Sequence, residues 1–252
     1  MYYISKFSMG DMVSCGASLR KLSAEDRSME EIANSITQYF YDNFRVIKTG
    51  ETAFALVRFF KTHPYSKLPQ DLQSFASEVL AKEGHTTSES ESQNSEHNKI
   101  QCLTLLGTRG DQEVWNSRET SEGHQAIPLC SDNFVQSIPM ISGVIKQLGL
   151  KISDVVKPDT SIQIENQTRK YNIFHVPEAR GSALIPAQQE FVIPFGIQSV
   201  IGFGGLLPSK NVFVTIIFSK IKISQDVALL FKPLALSVKD AILLSEKRVF
   251  TL

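Results

Sequence analysis

Apolar positions recur at helical spacing in four windows of the chain, and the runs between them are dense in β-branched and aromatic residues. In the first window Ile32, Ile36, Tyr39/Phe40 and Phe44 fall on one face. Ser28, followed three residues later by Glu31, forms a capping box, so a helix is predicted over 28–43. A second helix opens at Pro69 and runs to about Lys82, with Leu72, Phe75, Ala76, Val79 and Leu80 on one side. A third lies near 132–148, with Val135, Ile138, Ile141/Ser142 and Ile145/Leu148 on its apolar face and Gly149 as its stop; Pro139 also suits the first turn of a helix that begins later. The fourth runs from a Ser224 cap to about Lys247, with Asp226 near its N-terminus and a stripe of Val227, Leu230/Phe231, Leu234, Val238 and Ala241/Ile242. Pro233 lacks a backbone donor and should bend that helix.

The strand-like runs are 53–63, 100–106 and 171–176, together with two segments of the stretch after Ile185 that flank Pro208-Ser209-Lys210-Asn211. This last pair reads as a hairpin at a sheet edge, backed by the terminal helix. Gly107 to Asp111 is expected to turn the chain back towards Val114-Trp115, and His124 to Leu129 is read as a loop. Glycines 202, 204 and 205 lack the Gly-Lys-Ser/Thr ending and the following helix of a phosphate loop, so they mark a bulge or a close backbone approach. Residues 1–27 are expected to be a partly ordered arm. The stretch 84–98 has almost no apolar side chain to offset its ordering entropy and is expected to be a mobile insertion, with no metal role for His85 or His97. Alternation of helices and strands around an antiparallel sheet gives an α+β, α-β-α sandwich, a single domain over 28–248.

Composition narrows the function classes. Lys plus Arg equals Asp plus Glu at 26 each, so no charge excess favours nucleic acid or an anionic membrane. Three widely spaced cysteines, Cys15, Cys102 and Cys130, argue for reduced thiols and a cytoplasmic location. No secretory signal or membrane span is expected, because the longest apolar run, 191–207, is broken by Pro194 and several glycines. H-E-x-x-H, G-x-S-x-G, P-loop and clustered Cys/His patterns are absent, and the five histidines share no metal-ligand spacing.

Several phrases carry a resemblance. They are A-L-V-R-F-F-K-T-H-P-Y (Ala55 to Tyr65), G-H-Q-A-I-P-L (Gly123 to Leu129), I-P-M-I-S (Ile138 to Ser142), F-H-V-P-E-A-R-G-S (Phe174 to Ser182), I-P-A-Q-Q-E-F-V-I-P-F-G (Ile185 to Gly196), G-F-G-G-L-L-P-S (Gly202 to Ser209) and L-A-L-S-V-K (Leu234 to Lys239). Together they resemble the GAF-like N-terminal sensory segment of bacterial hybrid sensor histidine kinases, over roughly 28–245. The resemblance implies terminal helices on one face of the sheet and ligand-enclosing helices and loops on the other. It also implies a homodimer, a role in two-component signalling with a kinase transmitter in cis or in trans, and a small-molecule ligand of unknown identity. The Asn-Lys-Phe-Asp-Glu pattern of cyclic-nucleotide-responsive members and the chromophore-cysteine context of bilin-binding ones are missing.

Candidate ligand contacts follow from the loops that border the cavity in that fold. They are His175, Glu178, Arg180 and Gln188/Gln189 as polar groups, with Phe174, Phe191, Phe195 and Phe203 as aromatic walls. His175 is equally readable as a half-buried histidine bonded to a backbone carbonyl, and Glu178 and Arg180 as a surface pair; His124, Gln125 and Trp115 are similarly open. The reading is a non-catalytic sensory domain whose ligand biases the terminal helices. A ligand-free interaction module, with the pocket filled by its own phenylalanines, is the second reading. A thiol-dependent enzyme of the GAF fold, using Cys102 or Cys130, is the third.

Overall fold

The computed structural model describes residues 1–82, 100–121, 124–158 and 172–251. The predicted insertion at 84–98 and the polar stretch 160–169 lie outside the described residues. Six strands form one antiparallel sheet in the order β5-β4-β3-β8-β7-β6. They are β3 (Phe54–Pro64), β4 (Gln101–Gly110), β5 (Ala126–Leu129), β6 (Ile173–Val176), β7 (Ser199–Leu206) and β8 (Val212–Ser219). Two short parallel strands, β1 (Tyr2–Tyr3) and β2 (Phe44–Arg45), pair apart from this sheet. The β7–β8 hairpin is interior rather than at an edge, because β8 is bonded to β3 on its other side.

One face of the sheet is covered by the terminal helices: α1 (Met9–Arg20), α2 (Met29–Asn43), α7 (Gln225–Leu229) and α8 (Leu234–Leu243). The Ser28/Glu31 capping box forms as read, and a second one, Ser8/Asp11, starts α1. Residues 1–27 are therefore not an arm: Ile4, Phe7, Cys15 and Leu19 are buried in the core of this face. That core is aromatic, with Phe7, Phe40, Phe44, Phe54, Phe203 and Phe231 in mutual ring contact. Gly107 continues β4 instead of turning it, since a Cβ there would come within 2.5 Å of the Ala33 backbone and push α2 off the sheet.

The opposite face is covered by α4 (Asp132–Ser137), α5 (Pro139–Gln147) and α6 (Ile152–Val156), with a π-helical turn over Gln188–Val192; α3 (Gln70–Lys82) packs beside β5. The expected third helix is thus broken at Ile138, whose extended backbone is what a residue before proline adopts, and Pro139 opens α5. Pro233 breaks the terminal helix rather than bending it, leaving a turn between α7 and α8. The stretch read as a loop at 124–129 contains edge strand β5, where Pro128 is tolerated because it sits on the outermost strand. The result is a GAF-like α+β sandwich with a large core on each face of the sheet and a smaller cluster between α3 and the β4–β5 edge.

Candidate functional site

A cavity of about 40 Å³ lies between the sheet and α5–α6. Its floor is Phe60 and Thr62 of β3, Leu103 of β4, Ile127 and Leu129 of β5, and Val212, Val214 and Ile216 of β8; its roof is Met140, Ile141, Val144, Ile145, Leu148 and Val155, and His124 stands at one side. The alternation of β3 and β8 dictates which residues reach it. Phe60, Val212, Val214 and Ile216 belong to this core, whereas Phe59, Phe213 and Ile217 point into the aromatic core behind the sheet. Both faces of these central strands are therefore covered and mostly apolar, with Arg58, Lys61 and Thr62 of β3 the polar interruptions.

Polar groups at the cavity are few. The Thr62 hydroxyl accepts from the Val212 amide at 2.8 Å, which closes that end. His124 adopts a left-handed backbone, φ 79°, and stands exposed at the side of the cavity. Arg58 shares this sheet face and donates from Nη2 to the Ser121 hydroxyl at 2.8 Å, while its buried Nε has no partner. Burial lowers its pKa to about 10, so it stays charged at neutral pH.

None of the residues picked from sequence as ligand contacts lines this cavity. Phe174 is fully buried, wedged between the Cα positions of Gly143 on α5 and Gly202 on β7. Phe203 lies in the aromatic core on the far face, against Phe40 and Phe231. Phe191 and Phe195 pack on Trp115, and Phe191 also on Phe218, as a second aromatic cluster on the cavity face. His175 braces the sheet: its ring nitrogens sit 2.8 Å from Gln225 Oε1 and 3.0 Å from the Ile223 carbonyl, and its amide donates to Gln147. Glu178 pairs with Lys222, Arg180 is exposed, and Gln188 fastens its loop by donating to the carbonyls of Ala179 and Ile185 and accepting from the Gly181 amide. Gln189 is exposed. Of the polar residues weighed from sequence, His124 is the one brought to the cavity.

Arg58 escaped the sequence reading. Its signal was available: a charge inside A-L-V-R-F-F, a run too apolar to leave a solvent face. No cysteine lines the cavity, and burial pushes the thiols of Cys15 and Cys102 up to about 12, so neither supplies a ready thiolate. Among the described residues no group of three or more His, Cys, Asp or Glu is placed to hold a metal ion. Nor is any described helix long and apolar enough to cross a membrane.

No protein-family model matches the chain, and no curated protein sequence matches it. Solved structures do resemble it. The free methionine-R-sulfoxide reductase of Neisseria meningitidis, in complex with its substrate, has a TM-score of 0.49 at 9% identity, with 96% of this chain and 93% of that one covered. The reduced form of the Staphylococcus aureus enzyme fRMsr has a TM-score of 0.47 at 9% identity, covering 92% and 95%. The chromophore-binding domain of a bacteriophytochrome from R. palustris has a TM-score of 0.39 at 9% identity, covering 94% of this chain and 63% of that one. At such values the likeness concerns the sandwich and transfers no residue's role. It does correct one expectation: a non-catalytic chain does not follow from a GAF-like fold, since two of these similar structures are enzymes.

Proposed function

We propose that this chain is a sensory or regulatory domain that binds a small, largely apolar molecule in the cavity beneath α5 and α6. The observation that carries this reading is the cavity itself: a void among close-packed aliphatic side chains, on the face of the sandwich away from the terminal helices. The relay is built into β3 and β8. Val212, Val214 and Ile216 meet the occupant, while Phe213 and Ile217, on the same strand, pack in the core of α2 and α8. An occupant that prefers one position of β8 biases the helices behind it by no more than that difference in affinity. Under this reading those helices meet a second copy of the chain, and a kinase transmitter, in cis or in trans, is the output.

The test is to fill the void. Val144 on α5 is 5% exposed and lines the roof. Val144→Leu, and more strongly Val144→Phe, should abolish the rise in melting temperature that hexan-1-ol and benzyl alcohol give the wild type, while the ligand-free variants stay folded. Val144→Leu adds one methylene to the void and should leave the ligand-free protein unchanged or stabilise it by up to about 1 kcal/mol. An undiminished response to the alcohols in both variants would place binding elsewhere and sink the reading.

A further inference from the structure

The cavity is walled by apolar side chains, and Arg58 does not line it but adjoins two residues that do. Arg58 is paired across the ladder with Ile216 and lies two residues before Phe60 on the same sheet face, and both of those neighbours line the cavity. The Ser121 hydroxyl that Arg58 holds is three residues from His124, which also lines it. Ser121 itself is 1% exposed. Among the described residues no carboxylate pairs with Arg58, although Arg118, Lys220 and Lys222 all have one. Its Nε–H is buried without an acceptor. A half-buried arginine with a single neutral acceptor and a buried, unpaired Nε–H has donors left that fit an anion.

We propose that Arg58 is the anion-reading end of the cavity, so that the occupant is a small apolar acid: a hydrocarbon or aromatic body against Phe60, Ile216 and Val144, and one anionic group on the guanidinium. Ser121 keeps the guanidinium in place through Nη2. This rests on the cavity being the ligand site and adds the chemical class of the ligand. Planar, forked recognition is what distinguishes arginine from lysine at such a position.

Two matched pairs of probes separate the claims: hexanoate against hexan-1-ol, and benzoate against benzyl alcohol, by calorimetry and thermal shift on the whole chain. The acids should bind at least tenfold more tightly than their alcohols. Arg58→Met should erase that preference while leaving alcohol binding within twofold, and Arg58→Lys should restore only part of it. If Arg58→Met fails to fold, Ser121→Ala, which removes the hydroxyl that fixes the guanidinium, should narrow the preference in a folded protein. Equal binding of acid and alcohol would overturn the acid end and leave the cavity reading standing. No binding of either kind would overturn both. Glu122, which follows Ser121 in sequence, gives a further check. Glu122→Gln should leave acid binding unchanged or strengthen it, and a loss of acid selectivity in that variant would overturn the assignment to Arg58.

Discussion

Lys61 is buried to 1% exposure on the face of β3 opposite the cavity, and its ammonium has only neutral partners. It donates to the Thr62 carbonyl at 3.2 Å and lies 3.2 Å from Nδ1 of His63. Burial, chiefly, lowers its pKa from 10.5 to about 8, with Glu246 opposing and Lys67 adding to the effect. His63 is pushed down to about 3 by burial and by the two lysines, so its ring is neutral and Nδ1 can accept from Lys61. The unfolded lysine keeps its proton up to about 10.5 and the folded one releases it near 8, so the unfolded state binds more protons between these values. Stability should therefore rise with pH across that window, by an amount on the order of 3 kcal/mol for the whole difference. Urea unfolding at pH 7.5 and pH 10.5 checks this: the wild type should gain relative to Lys61→Met, and identical pH dependence in the two would refute it. The apolar run around Arg58 hints at an enclosed charge, but local pattern does not show that both Arg58 and Lys61 are covered. Strand alternation alone puts one of them outward, but β3 lies between β4 and β8 with helices over both faces, so it has no outward side.

Among the elements, those whose boundaries rest on local chemistry were legible and those whose boundaries rest on neighbours were not. The Ser28/Glu31 box and the Pro139 start are local steric and hydrogen-bonding signals, and both appear where read. The edge strand β5 is defined by pairing with β4, and α1 by packing against α8, neither of which a single segment announces. Glycines in the β7–β8 hairpin illustrate the middle case, in which close backbone approach was legible but its partner was not. Gly204 faces Val214 in the ladder, and a Cβ there would lie 2.0 Å from the Phe213 carbonyl oxygen. No side chain can move to relieve that contact, since the obstruction is backbone. Gly204→Ala should accordingly destabilise the protein by about 2 kcal/mol or more, read as a lower urea midpoint at unchanged slope. A midpoint within error of the wild type would show that the hairpin is not packed this tightly.

At the scale of the molecule, the sandwich keeps two cores apart with one sheet. The core behind the terminal helices is closed by interlocking phenylalanines, and the core under α5 and α6 retains a void. The fold class was readable from the order of periodic segments. The site was not, because the cavity is assembled from β3, β4, β5, β8, α5 and α6, and a void is a difference between volumes that no motif encodes. Reading the cavity onto the loop around Phe174 to Glu190 followed the resemblance, whereas here Phe174 itself fills the space between α5 and β7. If the remaining void is a binding site, the protein should carry or take up a small molecule there. Native mass spectrometry of the freshly purified protein, beside a denatured control, tests it most directly. Extra mass of a small organic molecule, lost on denaturation and absent from Val144→Phe, is the expected result. A bare protein mass in the wild type, with no uptake when the apolar acids are added, would contradict it.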